Sequence, residues 1–84
     1  MGITYYGLTT CPVCRKVKDF LDRSGAEYDC VFVDKLTGQE REAAVREVTR
    51  HNPRGAYPTV VVHGAAVVGM DLEALGKLLE ARTG

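Results

Sequence analysis

Two cysteines separated by two residues, Cys11-Pro12-Val13-Cys14, lie between a strand-like run (Ile3-Thr4-Tyr5-Tyr6) and a helix-like run that reaches Ser24. The position of this pair dictates much of the local architecture. If a helix begins at Cys11, its unsatisfied N–H groups and the positive end of its dipole face the first sulfur. A thiolate is favoured there, and the thiolate is the form that attacks disulfides. Pro12 suits the first helical position, where its fixed φ is helical and its missing N–H costs nothing. Cys14, one turn on, falls on the same face as Cys11, within reach to close a ring.

Three cysteines in 84 residues are few and odd in number, which argues against a secreted disulfide framework. A lone CxxC in a strand–helix–strand context is the redox pattern. The competing reading is half of a zinc site, which would draw on Cys30, His51 and His63, none of them in a second closely spaced pair. Eleven basic and eleven acidic residues give zero formal charge with no single-sign block, so no nucleic acid and no anionic membrane is expected as partner. The longest apolar run, near Val60 to Val68, is interrupted by His63-Gly64 and is too short to span a bilayer. No basic-then-apolar leader is visible, and Tyr6 stands where a myristoylation start needs Ser or Thr. The expectation is a cytoplasmic monomer with one domain over residues 1–84, burying roughly 60% of its unfolded surface.

Taken in order, Ile3 to Tyr6 reads as a strand ended by Gly7. Val13, Val17, Phe20 and Leu21 recur at helical spacing up to a Ser24-Gly25 stop. Tyr28 to Val33 is a second strand, on which Cys30 shares a face with Tyr28 and Phe32 and reads as a buried structural thiol. Thr37 with Glu40 matches a capping box, opening a polar helix to about His51 whose buried stripe is Ala44, Val45 and Val48, with Ala43 at its margin. Pro53 cannot continue it. Thr59 to Val62 is a β-branched strand, His63-Gly64 a tight turn, and Ala66 to Val68 a fourth strand. Asp71 caps a last helix with Leu72, Leu75, Leu78 and Leu79 on its core side. The order β-α-β-α-β-β-α predicts an α/β fold, a four-stranded mixed sheet flanked by three helices. Neither His51 nor His63 is given a catalytic part.

This order, with the dithiol opening the first helix, resembles the minimal thioredoxin fold of the glutaredoxin family. Three segments carry the resemblance: Tyr6-Gly7-Leu8-Thr9-Thr10-Cys11-Pro12-Val13-Cys14, Ala56-Tyr57-Pro58-Thr59-Val60, and Val68-Gly69-Met70-Asp71-Leu72. Four positions depart from glutathione-using members: Leu8 replaces a basic residue, Val13 a tyrosine, Tyr57 a valine, and Gly69 stands alone where two glycines are common. The pattern is also similar to the NrdH-type redoxins, which take electrons from thioredoxin reductase.

The resemblance implies a thiol–disulfide oxidoreductase with no bound cofactor. Cys11 is its nucleophile and Cys14 its resolving thiol, acting on protein disulfides or glutathione mixed disulfides. Glutathione or thioredoxin reductase would supply electrons. Thr10, Pro12, Val13, Tyr57, Pro58, Thr59, Gly69, Met70 and Asp71 are the substrate-binding residues it implies. Pro58 is expected to be cis, presenting the Tyr57 backbone to a bound peptide by strand addition. The start of the last helix would receive a carboxylate, unless Asp71 serves only as its N-cap. Arg15 and Lys16 either add to thiolate stabilisation or form an ordinary solvated face. The rival from another class is a metal-binding module, holding zinc or, across a dimer, an iron–sulfur cluster through Cys11 and Cys14.

Overall fold

The structure, a computed structural model, describes residues 2–83, with side chains to residue 80. Its elements are β1 (Ile3–Gly7), α1 (Pro12–Ser24), β2 (Asp29–Phe32), a short 3-10 turn (Val33–Lys35), α2 (Gly38–His51), β3 (Thr59–Val62), β4 (Ala65–Val68) and α3 (Leu72–Thr83). The sheet order is β2-β1-β3-β4, with β1 and β2 parallel and the other pairs antiparallel. This is the expected thioredoxin-like mixed sheet, with helices on both faces.

The central strand β1 is buried on both sides. Ile3 and Tyr5 join Cys14, Val17, Leu21, Val60, Val62, Val67, Leu75 and Leu79 in a core under α1 and α3. Tyr6 faces the other way, into a smaller cluster with Val33, Ala44 and Val48 beneath α2. Within α1 the buried stripe is Cys14, Val17 and Leu21, whereas Val13, expected among them, is 40% exposed. Cys14 takes the inward position because it lies about one turn before Val17, on the buried stripe, and directly over Tyr5.

Four local expectations need correction. β2 is shorter than Tyr28 to Val33, because it pairs only with β1 and ends where β1 ends, at the Gly7–Phe32 pairing. β4 starts one residue earlier, at Ala65, because His63 and Gly64 both take positive φ (48° and 88°) and make a two-residue hairpin turn that sets Ala65 opposite Val62. The capping box at Thr37 is not made: Thr37 occupies the extended N-cap position, but its side chain bonds nothing there. Gly38 enters the helix at φ 59°, and a box needs right-handed geometry through the first turn. Val45 and Ala43 are exposed, since each lies about 100° round α2 from Ala44 in the Ala44–Val48 stripe.

Cys30 is exposed rather than buried. Its strand is the sheet edge, and strand order is a non-local property that alternation along β2 does not reveal. Among the described residues, no helix is long and apolar enough to cross a membrane.

The register gathers the expected site residues at one end of the sheet. Tyr6 pairs with Thr59 and Thr59 with Val68, so the 8–11 loop, the 56–58 segment and the 69–71 turn leave the same edge.

Candidate active site

Cys11 is the N-cap of α1 and has extended backbone (φ −92°, ψ 115°), with Pro12 following in the first turn. Its sulfur accepts the Cys14 N–H at 3.3 Å, the place normally filled by a Ser or Asp oxygen. Its carbonyl accepts the Arg15 N–H at 3.1 Å. Cys11 is half-buried and Cys14 fully buried; both are free thiols.

Their ionisation is driven apart. The Cys14 side chain, donating to the Cys11 sulfur, holds Cys11 below an ordinary thiol; the Cys14 and Val13 backbone N–H groups add to this, and partial burial opposes it. Burial, then that same bond to Cys11, pushes Cys14 up to about 11. Arg15 and Lys16 are exposed and are not among the causes acting on Cys11. The dithiol thus contains one sulfur primed as an anion and one stored as a thiol.

The loop before Cys11 is tied down by a residue that sequence reasoning passed over. Asp34, just after β2, accepts the Thr9 N–H at 3.1 and 3.2 Å and also the Thr9 hydroxyl. The Thr9 hydroxyl is the main influence lowering the Asp34 carboxyl. The available signal was a Thr two residues before Cys11 together with an acidic residue ending the strand parallel to β1. Tyr5, also passed over, lies fully buried beneath α1 with its hydroxyl donating to the Cys14 carbonyl at 3.0 Å.

The Tyr57–Pro58 bond is cis. Pro58 is buried, and its carbonyl accepts the Gly69 N–H at 2.9 Å, which joins the 56–58 segment to the turn before α3. Gly69 holds φ 73°, a left-handed backbone suited to glycine. Asp71 caps α3 through the Ala74 N–H at 3.2 Å, so a carboxylate of the chain's own already occupies that helix end. Thr59 is buried and braces the same corner: its hydroxyl donates to the Ala56 carbonyl at 2.7 Å, and the Asn52 amide donates to both groups.

Thr10, Val13 and Met70 are exposed, and Tyr57 is half-buried. A shallow hollow of about 250 Å³ opens between Lys16, Phe20, Met70 and Leu72. Thr10, Pro12, Val13, Tyr57, Gly69 and Met70 therefore present surface at one end of the sheet, whereas Pro58 and Thr59 are internal. Among the described residues, no group of three or more His, Cys, Asp or Glu is arranged to hold a metal ion.

The family model described as Glutaredoxin matches residues 3–67. Glutaredoxin 1 of Rickettsia prowazekii is 30% identical over 80 residues, covering 90% of this chain and 81% of its own. Among solved structures, the glutaredoxin of Methanosarcina mazei is 40% identical with a TM-score of 0.85, covering 90% of this chain and 76% of its own. That of Archaeoglobus fulgidus is 33% identical with a TM-score of 0.88, covering 93% and 85%.

Proposed function

This chain belongs to the glutaredoxin family, and from that premise we propose that it passes two electrons through Cys11 and Cys14 to protein disulfides and glutathione mixed disulfides. As a family member it is a thiol–disulfide oxidoreductase. The observation that carries the reading is the opposite displacement of the two thiols at one helix end, with the Cys14 N–H on the Cys11 sulfur at 3.3 Å.

The Cys11 thiolate attacks one sulfur of the substrate disulfide. The S–S bond breaks, a mixed disulfide forms, and the first substrate thiolate leaves. Cys14 then gives up its proton to solvent and attacks the Cys11 sulfur. The second substrate thiolate is released, and the pair closes as a disulfide. The substrate gains two electrons and the protein loses two. Val13, Met70 and Tyr57 supply apolar surface on the side of the Cys11 sulfur, with Thr10, Pro12 and Gly69 at its margin and Pro58, Thr59 and Asp71 shaping the walls. A reducing compartment such as the cytoplasm suits a dithiol that must be recharged, and a single domain acting as a monomer suffices for it.

Two tests bear on the reading. Cys11→Ser abolishes turnover, while Cys14→Ser accumulates a mixed disulfide visible by mass; a Cys14→Ser protein that forms no adduct overturns the assignment. The electron donor is decided by a paired assay, NADPH with glutathione reductase and glutathione in one arm and NADPH with thioredoxin reductase in the other. Leu8, Val13 and the single Gly69 remove contacts that glutathione-using relatives possess, which favours the second arm for recharging.

A further inference from the structure

The mechanism leaves one question open at Cys14. A fully buried thiol pushed up to about 11 must carry negative charge at the moment it attacks Cys11, and again when it is expelled as the pair is reduced. Two groups outside the dithiol favour charge on that sulfur, the Leu8 backbone at the mouth of the site and, from the interior, the Tyr5 hydroxyl. Tyr5 is wholly buried, its ring set edge-on to Tyr28 and Phe32 (centroids 6.4 and 6.2 Å), and its hydroxyl reaches the Cys14 carbonyl at 3.0 Å. The carbonyl does not need this bond, because in α1 it already serves the amide four residues on.

The space for the hydroxyl is provided by Gly7. A Cβ there would lie 2.2 Å from the Tyr5 oxygen, so glycine at position 7 and tyrosine at position 5 fit as a pair. Tyr5 also lines a cavity of about 150 Å³ with Leu8, Thr9, Arg15, Lys18 and Phe32, large enough for a few waters. The ionisable groups around the hydroxyl are Cys14 and Cys11 from α1 and Cys30 from β2, with Arg15 and Lys18 across the cavity. Burial first, then the charge of Cys14, holds the phenol well above its ordinary value, so it remains a donor and never a base.

Resting on the dithiol reading above, we propose that Tyr5 is a positioning residue for the resolving step, its hydroxyl turning from the Cys14 carbonyl to the Cys14 sulfur whenever that sulfur is anionic. A hydroxyl rotates freely about its C–O bond, so the exchange needs no backbone movement. On the forward step the Cys14 proton leaves to solvent, the Cys14–Cys11 bond forms, and the substrate thiolate departs. On recharging, an incoming thiolate attacks Cys11, and Cys14 is expelled as a thiolate that the phenol O–H receives. The phenol keeps its proton throughout.

The test is a stopped-flow reaction of the reduced full chain with dithiodipyridine. Attack by Cys11 releases the first thiopyridone, and attack by Cys14 on the mixed disulfide releases the second. Tyr5→Phe keeps the ring and removes the oxygen. The first phase should be unchanged; the second should slow by about tenfold or more at neutral pH, with its pH midpoint moved upward. Gly7→Ala, which crowds the oxygen without removing it, should slow the second phase in the same direction. An unchanged second phase in Tyr5→Phe overturns the proposal, as does equal slowing of both phases, which would report a displaced helix. A wild-type chain releasing only one thiopyridone would overturn the dithiol reading, and this inference with it.

Discussion

The two faces of the sheet are held to different standards. Among the described residues, ten form the buried core beneath α1 and α3, and both helices are capped by a side chain, α1 by the Cys11 sulfur and α3 by Asp71. Beneath α2 the buried cluster is four of the described residues, and Thr37 caps nothing. The thiols sit on the well-anchored side. A sulfur that must stay within reach of its partner needs a helix whose first turn does not fray, whereas α2 only has to cover β1 and β3 from behind. The difference teaches where this chain spends its apolar residues: on the helix that carries the chemistry.

Core truncations on the two sides should show the largest contrast. Leu21→Ala removes a fully buried side chain from the thicker core and should cost about 2–5 kcal/mol, a large part of the stability of a chain this size. Val48→Ala deletes fewer atoms from the thinner cluster and should cost about 1–2 kcal/mol. Urea unfolding of both variants measures this. Equal losses would mean that α2 is as firmly seated as α1.

A smaller effect separates the two sulfurs by pH. Cys14 is pushed up to about 11 while an unfolded cysteine ionises near 9. Between those values the unfolded chain has lost a proton that the folded chain keeps, so the folded state should weaken as pH rises through that window. Cys11 works in the opposite sense. Its stabilising contribution is full above the unfolded value and is lost as pH falls through its lowered folded value. Unfolding measured from pH 6 to 11 should show the alkaline decline in wild type and a reduced one in Cys14→Ala. Alkylation of Cys14 in a Cys11→Ser background should have its midpoint well above that of Cys11 in Cys14→Ser.

Much of this was legible in the chain. Pro12 after Cys11 and Gly25 after Ser24 mark both ends of α1 by local backbone preference, and β3 is a run of β-branched residues with no alternative reading. What escaped was non-local. The exposure of Cys30 depends on β2 being an edge strand, the Thr9–Asp34 tie joins residues 25 apart, and the Tyr5 hydroxyl meets Cys14 only because α1 folds back over β1. Among the candidate site residues, Cys11, Cys14 and the cis Pro58 followed from motif and resemblance. That Thr59 points inward to brace Ala56 did not, because its partner Asn52 lies in another element.

The helix caps offer the smallest difference and the sharpest reading of it. Asp71→Ala removes a side chain that accepts the Ala74 N–H, and the loss should be about 1 kcal/mol. Thr37→Ala looks equivalent in sequence, since Thr37 and Glu40 have the spacing of a capping box. In the fold the Thr37 hydroxyl bonds no amide of α2, so its removal should change stability by less than about 0.5 kcal/mol. Gly38 is the reason, because its left-handed φ of 59° bends the entry to α2 away from the geometry a box needs. Gly38→Ala disfavours that backbone. Combined with Thr37→Ala it separates two cases: if the substitution lets the box form, Thr37 becomes worth about 1 kcal/mol in the Gly38→Ala background, and if α2 enters through the left-handed residue regardless, Thr37 stays worthless in both. A cost near 1 kcal/mol for Thr37→Ala in the native background would place a working cap on both faces and erase the contrast between them.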